Sequence, residues 1–268
     1  MKFDLHTHHN RCGHAEGSIS DYINEAIKLG LQVIGISDHS PFFGEKLDHF
    51  KPWVAMAKSE FQSYVEEVLR LKEAYQGKIE VLLGVESDYF PEFEALYQNI
   101  YRHYPFDYII GSVHVTNGID LFNRTRWENI TQEQLIAEKE EYYRLIKKSA
   151  ESHMFDILGH IDALKGFYPK VEHVKTELVD EALKAIAESG SVIEINTSGK
   201  TKDCGGWYPA IDMLERAKFY GVQVTYGSDA HHPNRVADDW LQVKNMLKEI
   251  GYQEWYILQS RQKRKIAL

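Results

Sequence analysis

Short apolar runs alternate with amphipathic stretches along almost the whole chain, and a histidine or carboxylate stands at the end of one run after another. Lys2–Leu5 leads into His6, Thr7 and His8, Val33–Ile36 into Ser37, Asp38 and His39, and Val81–Val85 into Glu86. Tyr108–Val113 ends at His114, Phe155–Gly159 at His160, and Val222–Gly227 at Ser228, Asp229, Ala230 and His231. Each run is short enough for a buried strand, and most are followed by helical periodicity. The pattern predicts strands over Lys2–His6, Val33–Asp38, Ile79–Glu86, Tyr108–His114, Phe155–His160, Val192–Asn196 and Val222–Gly227. Helices are predicted over Ile19–Leu29, Trp53–Tyr75, Phe93–Tyr101, Gln132–Glu151, Lys175–Glu188, Tyr208–Phe219 and Arg235–Ile250. Ser18 with Asp21, and Thr131 before an acidic turn, are start signals, and Gly30, Gly77, Gly190, Gly221 and Gly251 sit where helices stop.

This order implies an α/β fold of about seven βα units. Parallel strands with right-handed helical crossovers place their chemistry at the C-terminal strand ends. An open, doubly wound sheet gathers loops only at its switch point, whereas here nearly every strand end carries a candidate ligand, so a closed TIM-like barrel is expected. The 268 residues fit one barrel domain spanning 1–268. The stretch Trp255–Leu258 and the basic tail Arg261–Lys265 fall outside the pattern and receive no role.

A net charge of −9 argues against nucleic acid or an anionic membrane as a partner, although a local metal charge still permits an anionic substrate. Cys12 and Cys204 are too few for a disulfide framework and read as packing residues. The segment MKFDLHTHH lacks the apolar core of a signal peptide, and no run approaches the roughly 20 apolar residues of a membrane span, so a cytoplasmic location is expected. Self-association is left open.

His6 and His8, one residue apart at a strand end, point to the same face. His14 follows in a glycine-containing loop, His39, His114 and His160 each close a separate strand, and His231 repeats the one-residue spacing after Asp229. With Glu86 and Asp229 these seven imidazoles form a mixed nitrogen and oxygen set suited to zinc, manganese or iron. Nine ligands exceed the need of one ion, so two or three are implied. Neutral imidazoles and two carboxylates bring about −2 against about +4 to +6 from the ions, leaving a positive site that holds an anion. His49, His103, His153 and His173 read as solvated; His9 and His232 adjoin ligands and are candidates for substrate contact.

The segments DLHTH (Asp4–His8), CGHAEG (Cys12–Gly17), ISDHSPF (Ile36–Phe42), GVESDY (Gly84–Tyr89), GSVHV (Gly111–Val115), GHID (Gly159–Asp162), EINTSG (Glu194–Gly199) and YGSDAHHP (Tyr226–Pro233) resemble the polymerase-and-histidinol-phosphatase (PHP) superfamily, in order and across nearly the whole chain. Within it the chain is most similar to the monofunctional histidinol-phosphate phosphatases. The resemblance implies a distorted (β/α)7 barrel and a trinuclear centre. One metal would take His6, His8, Glu86 and Asp229, a second His14, His39 and His231, and a third Glu86, His114 and His160.

What the resemblance further implies is hydrolysis of L-histidinol phosphate in histidine biosynthesis, by a metal-bridging hydroxide. Where many relatives carry a phosphate-gripping arginine after the GHID segment, this chain offers Lys165. Lys200, Lys202, Arg124, Arg126, Arg11 and Arg235 compete for that role. Asp162 and His9 are candidate proton donors to the leaving group, Phe42 and Phe43 candidate partners of the imidazole, and Glu16, Glu45 and Asp48 candidate acids for the ammonium group. Two alternatives remain: another PHP phosphoesterase, acting on phosphotyrosine or nucleotides, and a non-catalytic or proofreading PHP module.

Overall fold

The computed structural model describes residues 1–268. In chain order the strands are β1 (Phe3–Asp4), β2 (Val33–Ile36), β3 (Glu80–Leu83), β4 (Glu86–Asp88), β5 (Ile110–Ser112), β6 (Val115–Thr116), β7 (Ile119–Asp120), β8 (Ile157–Leu158), β9 (Val192–Asn196), β10 (Gln223–Gly227), β11 (Glu254–Gln259) and β12 (Gln262–Ala267). The helices are α1 (Ile19–Lys28), α2 (Lys58–Ala74), α3 (Glu94–Tyr101), α4 (Gln132–Glu151), α5 (Leu178–Ser189), α6 (Ile211–Phe219) and α7 (Trp240–Ile250).

Two parallel sheets, β1-β2-β3 and β10-β9-β8-β5-β4, join into a ring of seven staves, β3 and β4 being one stave interrupted at Gly84 and Val85. One seam is the parallel bridge His39–Glu86, with Glu86 N–H donating to Ser37 O at 3.0 Å. The other is the parallel bridge Thr7–Ala230, with Leu5 N–H donating to Tyr226 O at 3.2 Å. The buried Asp4 carboxylate clamps this second seam, accepting from Ser228 N–H at 3.0 Å and Ala237 N–H at 2.8 Å. The architecture is the distorted α/β barrel that the strand-end pattern implies.

The barrel interior is filled by large side chains that need small neighbours. Tyr108 crosses it, its hydroxyl donating to Leu5 O at 2.6 Å. A Cβ at Gly35 or Gly84 would overlap that ring, so both positions require glycine. Outside, α4 is capped reciprocally: Thr131 Oγ1 accepts from Gln134 N–H at 3.2 Å and Gln134 Oε1 from Thr131 N–H at 2.9 Å. Its length matches the sequence pattern, and Gly190 and Gly251 end α5 and α7 in the left-handed conformation.

Four helices start later than periodicity suggests, α5 among them at Leu178 rather than Lys175. Trp53–Ala57 is a loop rather than the first turns of α2, because Met56 N–H donates to His39 O at 3.4 Å and docks the segment on the end of β2. Tyr208 is drawn into an antiparallel bridge with Asn196, which delays α6. Pro233–Arg235 is a 3-10 helix and residues 236–239 form a turn, with Asp239 at φ +56°, before α7.

The C-terminal segment, for which the sequence pattern offered no role, is the β11–β12 hairpin, and it covers the N-terminal end of the barrel. Trp255 is fully buried, 4.7 Å from the Phe3 ring and 5.1 Å from that of Trp240. The basic residues bind the starts of staves: Arg264 pairs with Glu80 at 2.8 Å, Arg261 with Asp156 at 2.6 Å, and Lys263 donates to Gly190 O at 2.8 Å. No helix is long and apolar enough to cross a membrane.

Candidate metal centre

At the opposite rim the strand-end residues meet. Glu86 is the hub, 2% exposed. Its Oε2 lies 2.8 Å from His39 Nδ1, 3.4 Å from His6 Nε2 and 3.6 Å from His8 Nε2; its Oε1 lies 3.1 Å from His160 Nε2 and 3.6 Å from His114 Nε2. Asp229 Oδ1 stands 3.0 Å from His8 Nε2, 3.5 Å from His231 Nδ1 and 3.8 Å from His6 Nε2. His14 Nε2 is 2.9 Å from His231 Nε2, and His114 Nε2 is 3.1 Å from His160 Nε2. All nine sequence-predicted ligands therefore converge, from residue 6 to residue 231. Two sit on unusual backbone, Asp229 at φ +53° and His160 at φ +24°, the kind of local strain that clusters at functional sites.

A donor set of this kind fits metal. His6 Nε2, His8 Nε2 and Glu86 Oε2 are buried without a hydrogen-bond partner, which is costly for polar atoms that nothing else satisfies. Nitrogen faces nitrogen at about 3 Å in two histidine pairs, a spacing that two ligands of one ion adopt. His6, His8 and Glu86, His8, His39 and His231, and His39, Glu86 and His114 each form a group able to enclose an ion.

Behind the rings lies a layer of acceptors, largely carboxylates, that the strand-end pattern did not reveal. Glu194 Oε2 meets His6 Nδ1 at 2.8 Å, Asp38 Oδ1 meets His8 Nδ1 at 3.2 Å, and Asp88 Oδ1 meets His114 Nδ1 at 3.0 Å. Backbone oxygens of Cys12 and Asp229 serve His14 and His231 in the same way, at 3.3 and 3.0 Å. Each contact fixes the ring and turns its other nitrogen inward. Asn196 Nδ2 ties Glu194 (2.8 Å) to Asp229 (3.2 Å), and Ser198 Oγ donates to the same Asp229 oxygen at 2.8 Å, leaving Oδ1 for the centre. A signal was present: Glu194 interrupts the apolar strand β9, and Asp88 follows Glu86 at the two-residue period that shares a face.

The electrostatics divide the imidazoles. Burial would push His6 down, but Glu194, Glu86 and Asp229 hold it well above its ordinary value. His14, His39 and His231 are lowered, by burial first and then by neighbouring imidazoles, and so stay neutral with free lone pairs. Burial alone would raise the Glu86 carboxyl, yet the surrounding His39, His6 and His114 keep it well below the usual carboxylate range. Burial also pushes the Cys12 thiol up, away from thiolate, so it remains a packing group.

A cavity of about 610 Å³ opens over the centre, lined by His14, His39, Glu86, His114, His160, Asp229 and His231, and higher up by Trp53, Asp120, Phe122, Phe167, Lys202, Tyr208, His232 and Arg235. Several residues that the sequence offered for substrate binding or proton donation lie elsewhere, each because another element has claimed its polar group or ring. Lys165 is 3% exposed and pairs with Asp162 at 3.0 Å and Glu172 at 3.1 Å behind the Tyr208 ring. Asp162 is committed to Lys165 and to Ala210 N–H. Arg126 pairs with Glu138, Lys200 with Asp238 and Asp239, and Phe42 packs against Phe50 and Phe90. His9 is buried against Asp38 at 3.1 Å. His232 does line the cavity, beside Glu16.

Fold and site together define an α/β barrel with a histidine-rich, carboxylate-bridged cluster on its C-terminal rim. The chain matches the PHP domain family over residues 4–198, and it belongs to that family. It is 32% identical to a histidinol-phosphatase of Bacillus subtilis over 88% of this chain and 96% of that protein, and 24% identical to the histidinol-phosphatase of Lactococcus lactis over 94% and 93%. In structure it is similar to histidinol phosphate phosphatase from Lactococcus lactis, crystallised with zinc, L-histidinol and phosphate, with a TM-score of 0.79, 22% identity and coverage of 98% and 99% of the two chains.

Proposed function

We propose that this chain is a metal-dependent phosphomonoesterase that hydrolyses L-histidinol phosphate to L-histidinol and phosphate, a cytoplasmic step of histidine biosynthesis. The observation that carries the reading is the convergence of seven imidazoles and two carboxylates under an open cavity, in a chain that aligns over most of its length with histidinol-phosphatases.

Two or three divalent ions, zinc, manganese or iron, would be held by His6, His8, Glu86 and Asp229, by His14, His39 and His231, and by Glu86, His114 and His160. Bound there, such ions supply Lewis-acid charge to phosphoryl oxygens and acidify water for attack at phosphorus. The chain itself contributes orientation. Glu194, Asp38 and Asp88 fix ring direction, and Asn196 and Ser198 fix Asp229. Lys202 is the cavity cation with no carboxylate partner: it stands 5.2 Å over Phe122 and 5.7 Å over Phe167, free to meet the phosphate. Lys165, with its charge balanced twice, serves the wall behind.

The test is elemental analysis of the purified protein together with turnover of L-histidinol phosphate, phosphotyrosine and nucleoside monophosphates. A clear preference for the first is expected. Equal turnover of all three would reject the assignment.

A further inference from the structure

His160 is held differently from its neighbours in the centre. The Nδ1 atoms of His6, His8, His14, His114 and His231 each meet a carboxylate or carbonyl oxygen that sets the ring. His160 Nδ1 is buried with no partner, while its Nε2 faces Glu86 Oε1 and His114 Nε2 at 3.1 Å each. No acceptor behind the ring orients it, so its direction is inherited from its own backbone.

That backbone is strained. His160 has φ +24°, a region that residues with a side chain rarely adopt and that persists only where the surroundings impose it. The imposing contacts are few and buried. His160 N–H donates to Glu194 Oε1 at 2.9 Å, and His160 O accepts from Ala163 N–H at 2.8 Å and from the Tyr142 hydroxyl at 3.1 Å. The Tyr142 oxygen also accepts from Ala163 N–H at 3.2 Å, so one hydroxyl ties both ends of the 160–163 turn. Tyr142 belongs to α4, is fully buried, and does not line the cavity. It therefore acts on the centre only through the turn it holds.

We propose that Tyr142 is a positioning residue for metal binding, whose hydroxyl pins the strained turn and so aims His160 Nε2 at the ion held with Glu86 and His114; this rests on the metal-dependent reading of the centre. Without that bond the turn relaxes and the ring drifts from Glu86. The loss falls on one ion of the set, because the other two groups of ligands do not include His160.

Tyr142→Phe removes one oxygen and keeps the packed ring. Tyr143→Phe is the matched control: it makes the same deletion at the next position of α4, where the buried hydroxyl meets Met213 Sδ at 3.7 Å. Stepwise chelator competition on the metal-loaded proteins reads each ion in turn. In Tyr142→Phe one ion should bind about tenfold more weakly and the others as in wild type, whereas Tyr143→Phe should match wild type throughout. A second readout needs no metal: the 15N imidazole signal of His160, assigned by its loss in His160→Gln, should shift in metal-free Tyr142→Phe and stay put in Tyr143→Phe. Unchanged ion release in Tyr142→Phe, equal weakening of every ion, or the same loss in Tyr143→Phe each overturn the proposal. If the wild type binds no metal, the functional reading fails by itself, and the His160 signal still decides whether Tyr142 sets the ring.

Discussion

Glu194 and His6 lie 188 residues apart in sequence and 2.8 Å apart in space, both fully enclosed at the rim of the barrel. Glu194 reaches no part of the cavity lining, so its influence runs through the imidazole it orients. Glu194→Ala should weaken metal affinity about 10–100-fold, with activity recovering in excess metal. Competition against a chelator measures this, and unaltered affinity would count against an orienting role.

Glu86 touches five imidazoles, so its removal has no local substitute. Glu86→Ala should shed metal and lower kcat by at least about a hundredfold. His103→Ala, on an exposed turn, should leave both metal content and kinetics near wild type. Comparable damage in the two variants would contradict the ligand set.

Protons compete with metal here. In the metal-free chain burial alone would push His8 down, but Asp229 and Asp38 raise it to about 9. Burial likewise opposes His114, which Asp88 and Glu86 raise to about 10. Both rings hold a proton at neutrality that an ion must displace, so metal affinity should climb from pH 6.5 to 9, by up to about tenfold per unit for each proton released. The metal-free fold responds with the opposite sign. A pKa raised on folding stabilises fully below the ordinary value of 6.5, and that contribution disappears as pH rises through about 9 and 10. Chelator competition and Tm of metal-free protein across this range check the two slopes.

Two lysines separate binding from stability. Lys202→Met should raise KM for the phosphate ester several-fold with little change in Tm. Lys165→Met should instead destabilise the fold by about 3–5 kcal/mol, because it strands the buried Asp162 carboxylate. Steady-state kinetics and thermal unfolding of each variant distinguish these outcomes.

The centre was legible in sequence because its donors stand at the ends of apolar runs, where strand and loop meet. The ring closure was legible for the same reason, since only a closed sheet brings His6 beside Asp229. The orienting layer was harder to see. Glu194 lies inside a strand, and nothing local says that a buried carboxylate there faces a histidine from the other end of the chain. Lys165, Arg126 and Lys200 were visible as cations, but what decides their use is the acids opposite them, Asp162 and Glu172, Glu138, and Asp238 and Asp239. Trp255 read as a stray apolar residue because its partners Phe3 and Tyr226 belong to the first and last staves.

That indole yields a further expectation. Trp255→Ala should cost about 3–5 kcal/mol by opening a hole in the barrel floor. Thermal unfolding should show the loss while bound metal per folded chain stays constant, the floor being at the far end from the centre.

The seam formed by Leu5 with Tyr226 and Thr7 with Ala230 also orders events in time. During synthesis His6 and His8 emerge before the other ligands and wait for six staves and their helices before Asp229 arrives beside them. A complete cage cannot exist in a nascent fragment that ends before His231, so full ion capture registers that the circle of strands has shut.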